Sequence, residues 1–185
     1  VKRLLLLAHA PSPNTVALRD ALLQGVKRGA AETGQRLLVN SPDHQAEQGA
    51  VLSQEAQESG SEERIELVLR APLLADPDTA LDCDAYLLLT PENLGYMAGA
   101  MKDFFDRAYY PLIEATRGRP YLLVIRAGQD GTGTRRAIES IAGAGLGWKA
   151  VQEPLICQGT WQESWLDDCR DLGAGFAAGL SLGIF

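Results

Sequence analysis

Three short stretches of the chain carry residue types suited to holding a ligand rather than filling a core. The first is Ala10-Pro11-Ser12-Pro13-Asn14-Thr15, turn formers and hydroxyls between a short apolar run and a helical pattern. At a helix start, free N–H groups and the helix dipole favour a phosphate, and the hydroxyls of Ser12 and Thr15 can donate further bonds. The stretch has no lysine or arginine, so a terminal phosphomonoester would be held by neutral donors, Asn14 among them. A plain N-cap after a turn, with Asn14 or Thr15 supplying the oxygen, accounts for the same residues. Both readings stand.

The second stretch is Thr90-Pro91-Glu92-Asn93-Leu94-Gly95-Tyr96-Met97. Gly95 allows backbone to lie close to a flat ligand. Leu94, Tyr96 and Met97 offer apolar or aromatic surface for a ring, while Asn93 and the amides after Pro91 can bond its polar edge. Met97 also continues into Met101 at helical spacing, so packing is at least half of its role. The third stretch, Gly128-Gln129-Asp130-Gly131-Thr132-Gly133, is glycine-rich, and N–H groups near Gly128 and Asp130 can reach the same ligand. A glycine turn before a helix explains it equally well.

Several chemistries lack support. No GxGxxG opens the first turn and no GxxxxGK[ST] occurs, so the common nucleotide fingerprints are missing. Cys83, Cys157 and Cys169 are widely spaced, and only His9 and His44 are available, so no metal site is implied. The cysteines read as small apolar fillers. Asp103 and Arg107 stand four apart, the spacing of a surface helical pair. No side chain is nominated as a catalytic nucleophile or base.

Apolar runs at residues 4–8, 65–69, 85–89 and 121–125, and a fifth within 150–157, alternate with helical patterns. The last helix carries Trp165, Cys169, Leu172, Phe176 and Leu180. This alternation predicts an α/β domain, a doubly wound parallel sheet with helices on both faces. Five strands suit the order 2-1-3-4-5, whose ligand crevice lies beyond the carboxyl ends of the first and third strands. The first and second stretches follow those two strands.

Residues 1–185 read as one domain with a polar insert at about 40–63. Part of the insert, 45–58, has the composition of a surface helix. Taking 36–39 as the end of the first helical unit puts the insert at the amino end of the sheet; taking it as a strand puts the insert on the ligand side. The first placement is the expected one.

The net charge of -7 argues against a nucleic-acid binder. The leucine run near the start is shorter than the roughly 7–15 apolar residues of a secretory signal, and no segment reaches a membrane span of about 18. A cytoplasmic protein is expected. The apolar, glycine-containing stretch 172–185 is a candidate subunit contact of a homo-oligomer.

The segment from Thr90 to Arg107, Thr-Pro-Glu-Asn-Leu-Gly-Tyr-Met-Ala-Gly-Ala-Met-Lys-Asp-Phe-Phe-Asp-Arg, resembles the flavin-contacting loop and helix of the flavodoxin-like NAD(P)H-dependent oxidoreductases, in the FMN reductase and flavodoxin superfamily. Ser12-Pro13-Asn14-Thr15 resembles the flavodoxin phosphate loop Thr-Gly-Asn-Thr, with Pro13 in place of the glycine. The resemblance implies a flavodoxin-like fold and non-covalent FMN, with NAD(P)H as donor and a quinone or free flavin as acceptor. It also makes Glu92 the charge to watch beside a reduced flavin. A flavodoxin-type electron carrier and a scaffold without flavin remain the alternatives.

Overall fold

Four consecutive leucines, Leu4 to Leu7, have no solvent exposure. Such a run suits a strand covered on both faces, since successive side chains point to opposite sides. Leu4 and Leu6 enter one core layer, and Leu5 and Leu7 the other. The computed structural model describes residues 1–42 and 64–185, so the expected helix at 45–58 lies outside the described residues.

The central strand β1 (Lys2–Ala8) pairs in parallel with β3 (Arg64–Arg70) and β4 (Ala85–Asn93). Beyond β4 lies β6 (Pro120–Ala127), which pairs in parallel with the short strands β7 (Lys149–Ala150) and β8 (Leu155–Gln158). The five expected strands therefore stand in the order 2-1-3-4-5. A further parallel strand, β2 (Arg36–Asn40), is added outside β3.

β2 corrects the expected placement of the insert. Leu37 and Val39 turn towards the core while Arg36, Leu38 and Asn40 are exposed, the alternation of a half-covered edge strand. The connection to β3 accordingly leaves from the carboxyl, ligand-side end of the sheet.

One face of the sheet is covered by α1 (Pro13–Glu32) and α5 (Ser164–Leu182). The other carries α2 (Pro77–Leu81), α3 (Gly99–Leu112) and α4 (Thr132–Ile138), the last continuing as a π-helical turn over Glu139–Gly145. α1 and α5 touch backbone to backbone. A Cβ on Gly25 would lie 2.2 Å from the Arg170 carbonyl oxygen, and one on Gly173 2.5 Å from that of Leu22.

This close approach revises the reading of 172–185. Phe176, Ala177 and Leu180 are buried inside the molecule, and Phe176 stacks on Phe185. Leu182 and Ile184 stay exposed. All three cysteines are buried and unpaired, and burial pushes each thiol up to about 12. No described helix is long and apolar enough to cross a membrane.

Candidate functional site

The chain leaves β1 towards one edge of the sheet and leaves β4 towards the other, so the topology reverses between these neighbours. The His9 N–H donates to the Leu89 carbonyl at 2.9 Å and ties the two strand ends together. His9 is half-buried, and this desolvation holds its imidazole below the usual 6.5.

After β1, Ser12 rather than Asn14 or Thr15 caps α1. Pro13 takes the first helical position, where its fixed φ is favourable and no N–H is missed. Ser12 and Thr15 close a reciprocal capping box. Ser12 N–H donates to Thr15 Oγ1 at 3.0 Å, and Thr15 N–H to Ser12 Oγ at 3.3 Å. Thr15 is only 1% exposed, while Asn14 is exposed.

After Thr90 the expected loop is instead a hairpin. β4 runs on to Asn93 and turns back antiparallel into β5 (Tyr96–Met97), with Glu92 opposite Met97 and Asn93 opposite Tyr96. Leu94 and Gly95 form a two-residue turn with φ of 53° and 73°, both left-handed. Thr90 secures the root of the hairpin: its buried hydroxyl donates to the Pro91 carbonyl and accepts the Ala98 N–H at the start of α3. Asn93, Leu94 and Tyr96 are exposed, Pro91 and Gly95 half-buried, and Met97 is buried in the core beneath α3.

The third stretch is joined to this hairpin. The Glu92 carboxylate accepts N–H bonds from Gln129 at 2.7 Å and Gly131 at 3.1 Å. Behind that clamp the backbones touch, and a Cβ on Gly133 would lie 1.9 Å from the Gly95 carbonyl oxygen. Gly128 is exposed, and Asp130 uses its carboxylate to accept the Thr132 N–H at 2.9 Å, which lowers its pKa. Beyond it, Arg126 donates to the carbonyls of Ala127, Cys157 and Gly159 and lies over the Trp165 ring at 5.2 Å.

Thr90, Gln129, Gly131, Gly133 and Arg126 hold these loops in place, a part that their types in the sequence do not signal. Most act through backbone groups, which carry no residue-type signal. The Asp103–Arg107 pair lies on α3 at 2.8 Å, as its spacing suggests, and Arg107 also holds the carbonyls of Pro72 and Ala75. A cavity of about 480 Å³ is lined by Gln152, Glu153, Asp168 and their neighbours, near the amino end of β8. It contains none of the candidate residues, and the switch-point argument does not apply there.

The sequence resemblance implies a flavin, and the residues present fit its two ends differently. At the ring end, the clamped hairpin and third stretch leave Asn93, Leu94, Tyr96 and Gly128 uncovered, a donor and apolar set that fits an isoalloxazine. At the phosphate end, most first-turn donors already have partners.

Neither a family model nor a curated relative matches the sequence. Solved structures do match in fold. A flavodoxin from the domain Archaea superposes with a TM-score of 0.64 at 13% identity, covering 96% of this chain and 98% of that one. A WrbA-like flavodoxin from Agrobacterium tumefaciens gives 0.66 at 13% identity, covering 98% and 99%. The flavodiiron protein from Giardia intestinalis gives 0.68 at 14% identity, covering 99% of this chain but 37% of that one. The chain has the flavodoxin-like fold.

Proposed function

We propose that the crevice between the ends of β1 and β4 binds a flavin non-covalently, FMN being the form implied by the sequence resemblance, and that the protein is an oxidoreductase. NAD(P)H is the proposed donor and a quinone or free flavin the acceptor. The observation that carries this reading is the hairpin clamped to the third stretch by Glu92, standing at the switch point with Leu94 and Tyr96 uncovered.

In this reading Leu94 and Tyr96 cover the ring, and Asn93 with nearby amides bonds its polar edge. Gly128 and Asp130 border it from the third stretch. When bound, the isoalloxazine supplies the redox chemistry. The chain orients the ring, and Glu92 acts by holding backbone in place.

Leu73 and Leu74 are exposed after β3, as Leu94 and Tyr96 are in the hairpin after β4. Apolar side chains exposed on the loops after these two strands favour, as a second reading, an electron carrier that docks on proteins. The absorption spectrum of the protein with added FMN tests flavin binding. Anaerobic bleaching by NADH or NADPH, reversed by a quinone, is expected of the reductase. Bleaching only with an accessory reductase would select the carrier. An unchanged spectrum at high micromolar FMN would sink both and leave a scaffold.

A further inference from the structure

We propose that this crevice selects its ligand by the ring and not by the phosphate, so that riboflavin and FMN bind with similar affinity. The proposal rests on the flavin reading above and deepens it, by naming the part of the ligand that the chain recognises.

A phosphate at a helix start is held by the N–H groups that the helix leaves unpaired, at the cap and the first three helical positions. In α1 these positions are Ser12, Pro13, Asn14 and Thr15. Pro13 has no N–H to give. The N–H groups of Ser12 and Thr15 are spent on each other's hydroxyls, at 3.0 and 3.3 Å. Asn14 alone keeps a first-turn N–H without a partner among the described residues.

The hydroxyls are closed in the same way. Thr15 Oγ1 donates to the Ser12 carbonyl at 2.9 Å, which leaves the Ser12 hydroxyl to donate to Thr15 Oγ1 at 3.0 Å. Thr15 is buried beneath this ring of bonds. A cation could replace the missing donors, but residues 9–18 contain no lysine or arginine. The one titratable side chain there, His9, is held on the neutral side by its burial. With the capping box intact, a dianionic phosphate would find at the cap and the first three helical positions only the Asn14 N–H and the exposed Asn14 carboxamide as donors. The ring end has no such closure, since Asn93, Leu94, Tyr96 and Gly128 are exposed.

The test titrates the full chain, stripped of any bound flavin, with riboflavin and with FMN while following the quenching of flavin fluorescence. The two dissociation constants are expected to agree within about tenfold, the worth of one or two neutral hydrogen bonds. Ser12→Ala should leave their ratio unchanged. Pro13→Gly, which returns an N–H to the first turn, should tighten FMN by about threefold or more and leave riboflavin as it was. An FMN preference of about a hundredfold, abolished by Ser12→Ala, would overturn the proposal while leaving the flavin reading intact. Binding of neither flavin overturns both.

Discussion

Leu94 stands where a leucine is costly. Its φ of 53° lies in the left-handed region, which disfavours a side chain with a Cβ by about 1–2 kcal/mol, and it is fully exposed. Asparagine tolerates that conformation and is the preferred residue of such a turn. Leu94→Asn should therefore raise the melting temperature by about 2–4 °C per kcal/mol of strain relieved. The same change should weaken flavin binding, because it removes apolar surface from the rim. A variant that gains stability and binds flavin normally would remove Leu94 from the site. His9 gives a second prediction, about pH. Its folded-state pKa lies below 6.5, so the unfolded chain binds more protons as pH falls. The stability it contributes is complete above 6.5 and is lost as pH falls through the folded value. His9→Gln should flatten that part of the acid limb of a stability–pH curve, and an unchanged limb would contradict the assignment. Neither residue's state was legible in sequence. A leucine is not the usual signal for a tight turn, and His9 owes its desolvation to contacts made only on folding.

At the scale of elements, the strand runs and helical stripes were legible because burial on one or two faces imposes a period of 2 or 3.6. Strand order also followed, apart from β2, whose five residues are half exposed and begin two residues after Gly34, just past the Thr33 C-cap of α1. The clamp between hairpin and third stretch was not legible. The partners of Glu92 are backbone N–H groups 37 and 39 residues away. The resemblance made it instead a charge beside a reduced flavin. Glu92→Ala should release that coupling, costing about 0.5–1.5 kcal/mol for each hydrogen bond lost, since one is exposed and the other partly buried. Hydrogen exchange at Gln129 and Gly131 should quicken while the central strands stay protected. Unchanged protection at those two amides would mean that the backbone contact of Gly133 with Gly95 holds the stretches together by itself.

The whole molecule separates what holds it together from what holds a ligand. α1 and α5 cover one face through backbone contacts at Gly25, Gly29 and Gly173, far along α1 from the crevice. The proposed ring site lies at the carboxyl ends of the strands, built from the hairpin and the third stretch. Flavin should then stabilise the fold by mass action, by about 2.7 kcal/mol at a hundredfold excess over the dissociation constant. For a chain of this length that is a rise of roughly 5–10 °C in melting temperature. Two glycine variants should divide the two functions. In Gly29→Ala, the new Cβ meets the Ala174 carbonyl at 2.2 Å and forces the helices apart. Its melting temperature should fall, with overpacking of this kind costing about 1–3 kcal/mol, but the rise caused by flavin should be retained. In Gly133→Ala, the new Cβ meets the Gly95 carbonyl at 1.9 Å and pushes the hairpin off the third stretch. That variant should lose most of the flavin-induced rise. Melting curves with and without riboflavin, each at the same excess over its own wild-type dissociation constant, measure both. Loss of the rise in Gly29→Ala, with its retention in Gly133→Ala, would place the ligand against the α1–α5 face and not at the switch point.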